Sequence, residues 1–248
     1  MRSPARPATA LGRSFDVYYR DRARTARMDR LNADFIKTGQ LAFDIGAHIG
    51  DRTASFLRLG ASVVALEPQP RVFRALRLLH GRNPGAVLRR EAVGARSGTL
   101  ALHLNTRNPT VATLSPALVA AASGALGWED QTWDETISVP VTTLDALIAE
   151  YGAPDFIKID VEGHEADALS GLNTAVPALS FEFTTIQRDV GLACIDEVLR
   201  LGAYEFNLSL GEDHALQHRQ WLCPEAIRTR IAELPQEANS GDVYARRL

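Results

Sequence analysis

The stretch LAFDIGAHIGD, residues 41 to 51, ends an apolar run on Asp44 and sets glycines at 46 and 50 before a helix-like pattern begins. Gly46 and Gly50 remove side chains where a strand turns into a helix, which lets a ligand approach the backbone closely. The helix that follows presents free N–H groups at its start, suited to the polar end of a small molecule. The spacing is G-x-x-x-G, not the G-x-G-x-x-G of dinucleotide binding, and His48 stands at the middle glycine position. An imidazole there narrows the room for a pyrophosphate. A tight strand–helix turn needs glycine in any case, so the pair gains meaning only from what surrounds it.

Glu67 ends the next apolar run, VVALEP, and Pro68 fixes the turn after it. A carboxylate at that place can take both hydroxyls of a ribose and repels a 2′-phosphate. The plain alternative is an exposed glutamate at a strand end. A third cluster lies in FIKIDVEGHEADAL, where Asp160, Glu162, His164 and Glu165 fall within six positions of a strand end and helix start. One carboxylate there is an ordinary helix cap. Two carboxylates and an imidazole around a glycine can orient a hydroxyl and accept its proton, His164 having the ordinary pKa nearest that task. With Glu182 added, the same oxygens could hold a divalent metal, but no ligand spacing singles that out and no metal is expected.

These residues must be positioned by repeated strand–helix units. QLAFDIG, ASVVALEP and GAVLRREAVG read as strands, DRTASFLRLG and PRVFRALRLLHG as helices between them. Gly60 closes the first helix, and Val72, Phe73, Leu76 and Leu79 form the apolar side of the second. TLALHLN, TISVPV, PDFIKIDVEG, PALSFEFT, AYEFNLSL and DVYARRL are further strands, with helices TTLDALIAEYG, HEADALSGL and LACIDEVLRLG among them. Continuous apolar runs indicate parallel strands covered on both faces. The expected fold is α/β, a doubly wound, mostly parallel sheet of about seven strands. Residues 1–38 read as a tail and helix, and 39–248 as one domain with an insertion at about 104–136. Ligands of such sheets sit beyond the carboxyl ends of the strands, where all three clusters fall.

The chain has 248 residues, 46% of them hydrophobic, and a formal charge of −3, which gives no reason to expect a nucleic-acid partner. Cys194 and Cys223 are its only cysteines, too few for a disulfide framework. No apolar stretch is long enough for a membrane span, and MRSPARPATALGRS lacks the apolar centre of a signal peptide, so a cytoplasmic protein is expected. Arg20, Arg22, Arg24, Arg27 and Arg30 crowd the helix before the first strand. They read as a solvated face, with a cationic lid as the alternative.

The motifs FDIGAHIGDRT, VVALEPQPRVFRALR, AVGARSGTLAL, VPVTTLDALI and PDFIKIDVEGHEADALSGL, in that order, resemble those of FkbM-type methyltransferases, class I enzymes that use S-adenosylmethionine. The resemblance runs from Phe43 to Glu182, and KIDVEG after VPVTTLD is its most specific part. It implies that Asp44, Gly46 and Gly50 line the methionine end of the cofactor, that Glu67 binds its ribose, and that Ala92 and Val93 flank the adenine. His48, Thr53 and Pro68 go with the same site, and Asp160 would approach both the sulfonium and the acceptor. The implied activity is O-methylation of a sugar or secondary metabolite, with Asp160, Glu162 and His164 as catalytic candidates. His48 and Asp51 depart from the commonest pattern, which favours a small polar and an aromatic or aliphatic residue there.

Within the insertion, Asn105, Arg107, Asn108, Thr110 and Thr113 offer hydrogen bonds to a polyhydroxylated acceptor, with Glu182 beside them. Trp128 and Trp133 read as core residues of the insertion, or else as platforms for a sugar face. An NAD-dependent oxidoreductase is the first alternative; against it stand the glycine spacing and the lack of a Tyr-x-x-x-Lys pair, since Asp155 follows Tyr151 and Leu208 follows Tyr204 at that distance. A non-catalytic scaffold is the second, and it has no need of Asp44, Glu67 and Asp160 together. Sequence says nothing of oligomeric state.

Overall fold

The computed structural model describes residues 19–248 and, before them, Gly12 and Phe15. The expected tail lies outside the described residues. Ten strands and eight helices are described: α1 (Arg22–Asn32), β1 (Leu41–Ile45), α2 (Asp51–Arg58), β2 (Ser62–Leu66), α3 (Pro70–His80), β3 (Ala86–Arg89), β4 (Ala92–Val93), β5 (Gly98–Leu104), α4 (Pro116–Ala122), β6 (Glu135–Thr142), α5 (Leu144–Tyr151), β7 (Phe156–Ile159), α6 (Glu165–Ser170), β8 (Ala178–Thr184), α7 (Arg188–Leu201), β9 (Tyr204–Leu210), α8 (Pro224–Glu233) and β10 (Ser240–Arg247). The main sheet has seven strands in the order β3-β2-β1-β7-β8-β10-β9. All neighbours are parallel except β10, which runs antiparallel to β8 and β9. The doubly wound, mostly parallel fold is therefore present.

Strand order reverses at β1, between β2 and β7, and this is where such sheets open a crevice at their carboxyl ends. The continuous apolar runs are buried: Ala42, Phe43 and Ile45 of β1, Val63 to Leu66 of β2, and Phe156, Ile157 and Ile159 of β7. Pro70 occupies the first turn of α3, where its missing N–H costs nothing. Val72, Ala75 and Leu76 form the buried side of that helix. Leu79, expected on that face, is 41% exposed; Ala75, one turn earlier, takes the position against the domain. Gly60 ends the α2 segment with φ of +83°, a left-handed conformation that glycine adopts without strain.

Two sequence expectations are corrected. GAVLRREAVG is two strands, not one, because the chain leaves the main sheet after Arg89 and β4 pairs with β6 instead. TLALHLN and TISVPV do not join the main sheet; β5 and β6 pair antiparallel and, with β4, make a separate three-stranded sheet. The segment between them folds into a short 3₁₀ turn, Pro109–Val111, and α4, around a core of Val111, Leu118, Ala122 and Trp128. It packs on Ile186, just after β8. The β5–β6 connection is thus held over the carboxyl end of the main sheet.

Helix α1 keeps Arg22 and Arg30 exposed and Arg27 half-buried, as a solvated face over the domain should, but turns Arg24 inward. Asp21 caps it by accepting from the N–H groups of Ala23 and Arg24, and Arg24, Met28, Leu31 and Asn32 are buried beneath it. Aromatic rings fix the floor there: Phe35, Phe156 and Tyr244 form a triangle, Phe35 with centroids 5.1 Å from each of the other two, and Phe56 meets Phe156 edge-on at 5.9 Å. Phe156→Ala is expected to destabilise the protein by about 3–5 kcal/mol, through lost burial and the cavity left behind. Urea denaturation measures this; a change under about 1 kcal/mol would mean the stack collapses without loss.

Candidate active site

A cleft opens at the strand-order reversal. Its wall includes Asp44 in β1 with Gly46 and His48 after it, Glu67, Pro68 and Gln69 after β2, Ala92 and Val93 of β4, and Asp160 and Glu162 after β7. Glu182 of β8 and Thr110 of the insertion complete it.

The β1 turn is built on Gly46. Its φ is +82°, and a Cβ there would lie 1.7 Å from the Asp160 carbonyl oxygen, so no side chain fits. The N–H groups of Gly46 and Ala47 both donate to the Leu66 carbonyl, at 3.0 and 2.8 Å. The turns after β1, β2 and β7 are therefore locked together by backbone. Asp44, 1% exposed, accepts a 2.5 Å bond from the Thr53 hydroxyl, and burial pushes its carboxyl up to about 6. Thr53 thus serves Asp44 and does not itself line the cleft, where the resemblance would put it. Gly50 is also displaced from its expected role: a Cβ there would meet Leu76 and His80 at 2.6 Å, so it makes room for α3 and not for a ligand.

Glu67 is 3% exposed, not the free strand-end glutamate of the alternative reading. Its carboxylate accepts from the backbone N–H of Gln69 at 2.7 Å and of His48 at 3.1 Å. Burial outweighs these bonds and raises its pKa to about 7. His48 has φ of +50°, and burial lowers its pKa, so its ring lines the cleft neutral. Gln69, which the sequence does not single out, also donates from Nε2 to the Pro109 carbonyl at 2.9 Å, fastening the insertion to the β2 turn.

At the β7 end, the nearest carboxylate oxygens of Asp160, Glu162 and Glu182 lie within 4.8 Å of one another. These are the described residues that could offer oxygen ligands to a cation. Lys158 reaches the same place, 2% exposed, donating from Nζ to Asp160 at 3.1 Å and to Asp242 of β10 at 2.7 Å. Burial, then the charge of Asp160, holds the Glu162 and Glu182 carboxyls well above the usual range. The Glu162 carbonyl accepts from the Thr113 hydroxyl at 2.5 Å, a second fastening of the insertion.

The structure does not bring His164 to the cleft. It precedes α6 with Nε2 2.8 Å from Asp167, facing Gly94 and away from Asp160. Its hydroxyl-proton role has no geometry to support it. Glu165 is buried and accepts from the N–H groups of Val161 and Gly163, shaping the loop. Asn105 and Asn108 are likewise internal: Asn105 caps the N–H groups of Arg107 and Asn108, and both side-chain amides donate to Gln131. Of the expected acceptor-side residues, Thr110 and Glu182 reach the cleft wall. Trp128 is buried and bonds Asn239, and Trp133, half-buried, stacks on it and bonds the Val111 carbonyl, so both pack within the insertion. Lys158 has a sequence signal of its own, because a lysine inside the buried run FIKI needs a buried partner.

Residues 44–223 match the Methyltransferase FkbM domain. The chain belongs to the FkbM methyltransferase family. A curated relative, the hexuronic acid methyltransferase AglP of Haloferax volcanii, is 25% identical over 197 residues, covering 77% of this chain and 75% of that protein. Among solved structures, a TehB-like SAM-dependent methyltransferase from Corynebacterium glutamicum is 11% identical, with 95% and 94% of the chains covered and a TM-score of 0.46. Fibrillarin from Aeropyrum pernix is 12% identical, with 92% and 75% covered and a TM-score of 0.47. Family membership removes the grounds for the NAD-dependent alternative. No helix among the described residues is long and apolar enough to cross a membrane.

The raised carboxyls make stability depend on pH. Glu67 binds its proton more tightly folded, at about 7, than at its ordinary 4.5, so the folded chain holds more protons between those values. Its contribution is complete below the unfolded pKa and is lost as pH rises through 7. Urea midpoints of the ligand-free protein should therefore fall from about pH 5 to about pH 8, and Glu67→Gln should flatten that slope. An unchanged slope in the variant would show that Glu67 does not carry this proton.

Proposed function

We propose that this protein transfers the methyl group of S-adenosylmethionine to a hydroxyl of a sugar or similar polyhydroxylated metabolite. The observation that carries the cofactor assignment is Glu67: a buried carboxylate fixed by two backbone N–H groups at the end of β2, beside the Gly46 turn that lines the same cleft. Such a carboxylate is oriented before any ligand arrives, so a ribose diol binds it without ordering a side chain. Asp44, Gly46 and His48 would hold the methionine end, and Ala92 and Val93 the adenine, from the places they occupy in the cleft wall.

When bound, S-adenosylmethionine supplies an electrophilic methyl group. The protein's own task is to position the acceptor and receive its proton. Asp160 is the orienting residue, held by Lys158 at the junction of the β1 and β7 turns. Glu162 and Glu182 are the carboxyls nearest to it, and in their ionised form they receive the acceptor's proton. Thr110 and the fastened insertion close the acceptor side and limit water. A sugar acceptor is favoured by the sugar-acid substrate in the name of the relative and by this polar wall.

Calorimetry with S-adenosylmethionine, S-adenosylhomocysteine and NAD tests the reading. The two adenosyl compounds should bind, NAD should not, and Glu67→Ala should weaken adenosyl binding by about tenfold or more. NAD binding, or full affinity in Glu67→Ala, contradicts it. In a screen of glycosides with isotopically labelled methyl donor, Asp160→Asn should lower transfer roughly a hundredfold while still unfolding cooperatively, since Lys158 keeps its bond to Asp242. Wild-type transfer by that variant would remove Asp160 from the mechanism.

A further inference from the structure

Two sequence features have no part in the reading above: Asp51, which departs from the family pattern, and the arginines before β1. The structure joins them. Arg24 turns inward from α1, and its Nη2 donates to Asp51 Oδ2 at 2.9 Å and to Glu212 Oε2 at 2.5 Å. Its Nε donates to the same Glu212 oxygen at 3.0 Å. The shortest contacts of both acids thus go to Arg24.

Arg52, the next residue of α2, lines the cleft beside them. Its ion pairs are all long: Nη1 lies 3.4 Å from Asp51 and 3.8 Å from Glu212, and Nη2 lies 3.8 Å from Asp242. Its one contact at 3.0 Å is from Nη1 to the Met28 sulfur, a weak acceptor. The guanidinium is therefore caged and aimed by acids without forming a close two-point pair with any of them. Lys158 is the other lysine or arginine of the cleft wall, and its three donors are occupied by Asp160, Asp242 and the Ile159 carbonyl. Among the described residues of the wall, Arg52 is the cation with close hydrogen bonds still to give.

We infer that Arg52 takes the α-carboxylate of the methionine part of S-adenosylmethionine, with Asp51, Arg24 and Glu212 as the residues that position its guanidinium. A planar fork of N–H donors matches a carboxylate at two points, which an ammonium does not. The arginine-rich helix therefore acts from behind the cleft wall, through one buried arginine, and not as a lid over the acceptor. This inference rests on the cofactor reading and adds the residue that distinguishes the full cofactor from its adenosine part.

The test compares S-adenosylhomocysteine with S-methyl-5′-thioadenosine, which keeps the adenosine and thioether but lacks the amino-acid tail. Calorimetry on the wild-type protein should show the first binding more tightly. Arg52→Met should weaken S-adenosylhomocysteine by at least about tenfold and leave S-methyl-5′-thioadenosine within about twofold. Arg52→Lys keeps the charge without the fork, should fold if Arg52→Met does not, and should show the same selective loss to a smaller degree. Parallel weakening of both compounds would make Arg52 a purely structural residue and overturn the inference. So would unchanged affinity for S-adenosylhomocysteine. If the wild type binds neither compound, the cofactor reading itself falls, and this inference with it.

Discussion

The site depends on one close approach of backbone. Gly46, at the end of β1, lies so near the Asp160 carbonyl that a single added carbon would sit 1.7 Å from it. The same turn bonds the Leu66 carbonyl through two successive N–H groups. Three strand ends are thereby set by main-chain contact, and Asp44, Glu67 and Asp160 follow because each is within one residue of such an end. Side-chain chemistry in this cleft is placed by backbone that has nowhere else to go.

Bringing so many acids together is unfavourable, and the molecule offsets it in three ways. Some carboxylates accept from backbone N–H groups, as Glu67 and Glu165 do. Others are paired with buried cations. Burial alone would lower the Lys158 ammonium, but Asp160 and Asp242 outweigh it and hold it above its ordinary value. The rest, Glu162 and Glu182, hold their protons more tightly. A buried pair deprived of one partner is strongly destabilised, so Lys158 and Asp242 are structural in effect even though Lys158 reaches the cleft. The antiparallel strand β10, an appendage to the parallel sheet, contributes here by supplying Asp242 opposite Glu182.

Much of this arrangement is legible in the amino-acid sequence. Continuous apolar runs mark β1, β2 and β7 as parallel strands, and the strand-end acids Asp44, Glu67 and Asp160 all reach the cleft. Direction at single residues is what sequence does not convey. His164, Asn105, Asn108 and Thr53 are near the site along the chain yet point into local hydrogen bonds, which depend on helix phase and loop closure. Partners from far along the chain are equally hidden: Asp242 and Glu212 join Lys158, Arg24 and Arg52 only after the sheet has assembled. The small sheet is hidden for a related reason, because strand pattern does not say which sheet a strand enters.

The central claim is that the strand-order reversal holds an adenosyl cofactor with its ribose on Glu67 and its sulfur toward Asp160. A crystal structure of the protein with S-adenosylhomocysteine tests this most directly. The account predicts both ribose hydroxyls on the Glu67 carboxylate and the thioether beside the Asp160 end of β7. A ligand bound elsewhere, or one in this cleft with its ribose away from Glu67, would contradict it.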